Sequence, residues 1–228
     1  MGLKDKKICA VCGEKAGIFT RIKLNDGLLC GDCVKKCSEH IEDFDEITAA
    51  EIKEHLEYRD RNKNSDMLSE FNTTLTLGDY EVLKVDENHN LWLLTTPKRF
   101  SEENPDIFYL TQVTDCEVIE KKELFTPIHP VEDEDSTVDT SNEKIKKTAE
   151  LKRKLHNVRK KPPEYGYWFY IRIGVHHPCF SQIVMRVNKY IIQEANQSEY
   201  LSCKRQSQKI LDTFTALCSS AKEKYGPK

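Results

Sequence analysis

The residues with the clearest chemical capacity are cysteines. Nine of the 228 residues are Cys, and four of them form two pairs, Cys9-Ala10-Val11-Cys12 and Cys30-Gly31-Asp32-Cys33, separated by 17 residues. In a reducing compartment such pairing indicates metal binding rather than disulfides. Two intervening residues let a tight turn aim both sulfurs at one ion, and Gly13 and Gly31 permit the backbone such turns demand. Four thiolates complete a tetrahedron with no position left for water, so Cys9, Cys12, Cys30 and Cys33 are expected to hold a structural zinc ion. A redox dithiol or an iron–sulfur site is the alternative chemistry. Cys37, one helical turn beyond Cys33, is either a substitute ligand, a cap on the site or a spare helix thiol.

A second group with chemical potential is His176-His177-Pro178-Cys179. His176, His177 and Cys179 suit metal ligation or a Cys/His nucleophile pair, whereas a turn between two strands accounts for them without chemistry. Cys116, Cys203 and Cys218 have no spacing that would complete either site. Phosphate-loop, dinucleotide, zinc-protease and serine-hydrolase signatures do not occur in the sequence, so a non-enzymatic protein is expected.

The third feature is charge. Residues 131–142 hold five acids and no base, whereas residues 143–161 hold nine bases and two acids, a local excess of +7. The bases are Lys144, Lys146, Lys147, Lys152, Arg153, Lys154, Arg159, Lys160 and Lys161. Such a run suits salt-sensitive phosphate contact with nucleic acid, or an amphipathic contact with a membrane surface or protein through Ile145, Leu151, Leu155 and Val158. Interleaved aromatics for base stacking are missing from it, and mutual screening of its two halves in a solvated loop is the simpler reading.

These groups need elements to place them. Residues 18–24 alternate like a strand, Asn25-Asp26-Gly27 reads as a hairpin turn, and Leu28-Leu29 returns, bringing the cysteine pairs together. Residues 34–40 have helical composition, which puts the second pair at a helix start, where the dipole favours thiolate. Thr48-Ala49-Ala50-Glu51 is a capping box with Ile47 as staple, opening a helix to about Asn62. Charge and amide groups from Tyr58 to Ser69 predict fraying into a linker. Seven β-rich runs follow: 73–77, 80–85, 91–95, 107–110, 113–120, 167–175 and 183–187. Trp92 and Trp168 fall within them and read as core. Residues 199–225 form an amphipathic helix with Cys203, Ile210, Phe214, Leu217, Cys218, Ala221 and Tyr225 on one face.

Composition sets the outer limits. Apolar residues are 38% of the chain, against about 45–50% in typical usage, consistent with an unpacked insertion at 131–161, where only 7 of 31 residues are apolar. The net charge of −3 provides no global field to recruit a polyion. No apolar run reaches the ~18 residues of a membrane span, and residues 1–7 lack the apolar core of a signal peptide, so a cytoplasmic protein is expected.

The order of the paired cysteines, hairpin and helix resembles a treble-clef finger, and seven strands before one helix resemble a pleckstrin-homology (PH)-like barrel closed by its C-terminal helix. The four cysteines, the helical segment Glu51-Ile52-Lys53-Glu54-His55-Leu56 and the β-rich run after Phe71-Asn72 together resemble a family of small bacterial and phage proteins built on a zinc-finger domain of unknown function. That resemblance is most specific over residues 7–60, and it implies zinc and a bacterial or phage source but no reaction. The turn Val175-His176-His177-Pro178-Cys179-Phe180 is similar to a His-Pro-aromatic turn of such tails, with Cys179 where an aromatic is expected. The expected architecture is α+β: a four-cysteine finger at 1–45, a helix and linker at 46–69, and a PH-like β domain at 70–228. The expected role is binding or adaptor work with a protein or peptide partner. The alternative is nucleic-acid binding through the finger and the basic insertion.

Overall fold

The computed structural model describes residues 7–64, 66–96, 104–125 and 164–226. The first cysteine pair sits on a tight turn in which the Gly13 amide donates to the Cys9 carbonyl at 3.0 Å. Gly13 has φ +76°, a conformation glycine adopts without penalty. The expected strand over 18–24 is shorter than its alternation suggests: β1 (Ile22–Lys23) pairs with β2 (Leu28–Leu29). Ahead of it the chain turns, with Arg21 N–H donating to Gly17 O at 3.1 Å. Thr20 is folded back over Gly31, where an added Cβ would fall 2.8 Å from the Thr20 Cβ, and this packing outweighs the strand preference of Ile18 and Phe19.

Helix α1 (Gly31–Val34) is one turn long, with Cys30 as its N-cap residue. The helix expected over 34–40 is absent, because Ser38 leaves the helical path to bond His55 and Asp106. Helix α2 (Ala49–Asn64) begins on the predicted capping box. Thr48 N–H donates to Glu51 Oε2 at 2.8 Å, and Glu51 N–H donates to Thr48 Oγ1 at 3.3 Å. Ile47 and Ile52 are buried in one cluster, as a staple requires. The helix does not fray at Tyr58. Tyr58, Arg59 and Asn62 reach Ile107 O, Asp106 and Asn104 O, so polar side chains that sequence reading assigns to solvent are satisfied by a distant loop. Helix α3 (Asp66–Glu70) follows.

Two four-stranded antiparallel sheets come next. One has the order β3 (Leu75–Leu77), β4 (Val82–Asp86), β5 (Leu91–Thr95), β6 (Phe108–Tyr109). The other is built on the long pair β7 (Val113–Phe125) and β8 (Glu164–Val175), with β9 (Gln182–Arg186) and β10 (Ile192–Gln193) both against β8. Two-residue β10 is too short to show a pattern in sequence. Segment 131–161, with all nine of its bases, lies outside the described residues.

Helix α4 (Gln197–Tyr225) buries Cys203, Ser207, Ile210, Phe214, Cys218 and Ala221. Tyr225, expected on that face, is exposed. The core joins both sheets to this helix through Leu83, Trp92, Phe108, Phe169, Ile171 and Phe214. Trp92 stacks on Phe108 at 5.0 Å and meets Phe214 edge-on at 5.2 Å, in the offset and T-shaped arrangements aromatic rings favour. Trp168 is not core. It is half-buried, donates to Glu123 Oε2 at 3.1 Å and lies beneath the Arg186 guanidinium.

Candidate metal centre and the junction beside it

Three local structures bring four cysteines to one point. Cys9 and Cys12 come from the Gly13 turn, Cys30 from the end of β2, and Cys33 from the single turn of α1. Their sulfurs all lie within 4.8 Å of one another, and among the described residues this is the one cluster placed to hold a metal ion. Cys9 Sγ is 3.9 Å from Cys33 Sγ, and Cys12 Sγ is 3.6 Å from Cys30 Sγ. A tetrahedron with metal–sulfur bonds of about 2.3 Å has edges of about 3.8 Å, so the donor set fits a tetrahedral four-thiolate ion. Cys30 N–H points at Cys9 Sγ at 3.3 Å, the kind of outer contact that orients and tunes a thiolate ligand.

The four thiols do not ionise independently. Burial works to raise the Cys9 thiol, but the amides of Cys12, Cys30 and Val11 outweigh it and bring the pKa to about 6. Burial, together with the sulfurs of Cys12, Cys30 and Cys9, pushes Cys33 strongly upward. Four such close sulfurs cannot all ionise unless positive charge offsets their repulsion. Cys37 stands outside the cluster. Its thiol donates to Cys33 O at 3.3 Å, and burial pushes its pKa up to about 11.

One short step along the chain from Cys33, the cysteine segment is tied to the sheets. Ser38 Oγ donates to Asp106 Oδ2 at 2.5 Å, and Ser38 N–H donates to His55 Nε2 at 2.9 Å. Asp106 also pairs with Arg59, whose Nη2 donates to Asn104 O at 2.7 Å. His55 Nδ1 lies 3.3 Å from His177 Nε2, and His177 stacks on Phe180 at 3.8 Å. Cys179 and Phe180, from the loop between β8 and β9, pack into the same apolar cluster as Leu24, Leu29 and Ile52. Burial lowers His55 and His177 to about 4 and lowers His40 as well, so these imidazoles are neutral at neutral pH.

The structure brings His177 and Cys179 together, but not as a nucleophile and its base. The Cys179 thiol donates to Glu51 O at 3.3 Å, while its backbone N–H donates to His177 Nδ1 at 3.2 Å. Burial pushes the thiol up to about 12. The backbone amide of His176 donates to Gln112 O. Sequence reading missed Ser38, His55, Arg59 and Asp106, for which no local spacing gives a signal; the Ser38–Asp106 and His55–His177 contacts span 68 and 122 residues.

A groove runs along this junction. Its larger part is a cavity of about 570 Å³ with Lys36, Lys63, Arg59, Asn104 and Leu94 in its walls. A smaller part of about 260 Å³ shares Glu39, His40, Leu94 and Thr95 with it and reaches Glu42, Glu81 and β9. Strand β6 pairs with β5 only at Leu91 and Trp92, so the far edge of Leu93–Thr95 meets no strand among the described residues. Arg59 Nε and Asn104 Oδ1 are buried without a hydrogen-bond partner among the described residues.

No helix among the described residues is long and apolar enough to cross a membrane, and all nine cysteines are free thiols. No curated protein and no solved structure matches the chain. Residues 7–55, a stretch that contains the four clustered cysteines and the capping box and ends on His55, are similar to a family described as a domain of unknown function (DUF4428).

Proposed function

We propose that this is a non-enzymatic, cytoplasmic binding protein. Cys9, Cys12, Cys30 and Cys33 hold a structural zinc ion, and the groove beside them takes an extended peptide. In this reading the cysteine segment is treble-clef-like. The two sheets and α4 form a PH-like unit whose open strand edge is the docking rail. Zinc would act as a crosslink, because a closed thiolate shell leaves no site for water or substrate.

The observation that carries the peptide reading is the unpaired end of β5, whose Leu94 and Thr95 line both parts of the groove. Addition of a strand to a sheet edge supplies main-chain hydrogen bonds. Lys36 and Lys63 in the larger part and Glu42 and Glu81 in the smaller one favour a peptide with acidic residues followed by basic ones, or the reverse.

The test is selection of a random peptide library on the metal-loaded full chain. The expected ligands carry charges of both signs in separate blocks. Lys36→Glu with Lys63→Glu should weaken them by about tenfold or more without changing metal content. Ligands with no charge pattern, or an unchanged affinity in that double variant, would remove the groove from the proposal.

A further inference from the structure

The turn formed by residues 17–20 carries Ile18 and Phe19 into solvent. Their exposures of 73% and 99% are the highest of any large apolar side chain among the described residues. Adjacent apolar side chains held this far out gain nothing from the fold. Nor is the turn loosely attached. Ala16 and Leu24 on either side are buried, Arg21 N–H closes the turn onto Gly17 O, and Thr20 is pressed against Gly31 between Cys30 and Cys33. A rigid mount keeps the two side chains presented together.

The segment that carries the tip is rich in cations. Lys7, Lys15 and Lys23 are exposed and Arg21 is half-buried, and none of the four has an ion-pair partner among the described residues. Of the nearby acids, Asp26 accepts the Ala49 N–H at 2.7 Å, Asp32 pairs with Lys35 at 3.4 Å, and Glu14 is the one acid between Lys7 and Lys23. Ile8, bridged to Lys15, adds a half-exposed apolar side chain at the same end of the segment.

We propose that the Ile18–Phe19 turn is a membrane-surface anchor that inserts into the interfacial region of an anionic bilayer while Lys7, Lys15, Arg21 and Lys23 meet the lipid headgroups. An exposed apolar tip on a segment that carries four unpaired cations matches both layers of that surface: hydrocarbon for the tip, negative charge for the cations. A single-stranded nucleic acid suits the site less well. Base stacking needs π faces along a groove that tracks the phosphates, whereas this tip is a convex turn and Ile18 has no π face. With only two inserting side chains, the attachment is reversible.

The experiment is co-sedimentation of the metal-loaded full chain with phosphatidylcholine vesicles, and with vesicles containing about one-third phosphatidylserine. Binding is expected to the phosphatidylserine vesicles and to fall as salt rises. Ile18→Ser with Phe19→Ser should lower it about tenfold or more, and Arg21→Gln with Lys23→Gln about fivefold for each charge removed. Both double variants change exposed or half-exposed side chains, so circular dichroism and metal content should match the parent. Phe19→Trp provides a second readout, an emission that shifts to the blue on anionic vesicles. The proposal is overturned if the parent chain does not sediment with anionic vesicles, or if the Ile18/Phe19 variant sediments equally well. A Phe19-dependent affinity for a labelled single-stranded oligonucleotide, with no vesicle binding, would overturn it in favour of nucleic acid. Peptide binding in the groove is measured separately, so either idea can fail alone.

Discussion

His55 Nδ1 and His177 Nε2 face each other at 3.3 Å, while the outer nitrogen of each ring accepts a backbone N–H, from Ser38 and Cys179 respectively. Those outer bonds place each neutral ring's single proton on its inner nitrogen. Two N–H groups then confront each other, and neutral imidazoles cannot complete all three hydrogen bonds. A further proton worsens the conflict, and burial opposes it most strongly; Asp106 favours it, and Arg59 opposes it more weakly.

Acid should therefore loosen the junction. Both rings have a pKa of about 4 in the folded protein, against an ordinary value of 6.5. As pH falls below about 6.5, the unfolded chain binds protons that the folded chain refuses. Stability is fully present above about pH 6.5 and should decline until about pH 4, by an amount on the order of 3 kcal/mol for His55, which is fully buried. Urea midpoints across this range check it. His177→Phe should flatten the slope, and a midpoint independent of pH would refute the assignment.

Metal removal should act first on the cysteine segment. Serine at any of positions 9, 12, 30 or 33 should abolish stoichiometric metal in native mass spectrometry, whereas Cys37→Ser should retain it. A strong chelator should release the amides of residues 8–35 to hydrogen exchange before those of β4 or β8, because the metal supplies folding energy that few apolar residues replace there.

Asp106→Asn should cost about 3–5 kcal/mol, since it leaves the largely buried Arg59 charge without its partner. Denaturant unfolding measures the loss. Replacing both partners, with Asp106→Leu and Arg59→Met, should cost less than the single change, because no charge is then stranded.

Cys179 should resist alkylation. Its thiol is held near 12 and is occupied by the Glu51 carbonyl, so thiolate is scarce at neutral pH. Iodoacetamide labelling read by peptide mass spectrometry should find Cys179 slower than a model thiol. Faster labelling would reopen the Cys179–His177 nucleophile.

Local rules were legible in the sequence. The two C-x2-C pairs, the Thr48–Glu51 box, the run of β-rich segments and the 3.6-residue period of α4 each depend on neighbours within a few positions. Backbone geometry therefore expresses them almost wherever they occur. The tertiary structure decided the rest. Ser38 leaves a helical path, α2 persists through Tyr58 and Arg59, and Trp168 turns outward, because their partners His55, Asp106, Ile107 and Glu123 arrive from elsewhere in the chain. A polar side chain has no period that announces a distant partner, so its fate is set only when the elements pack.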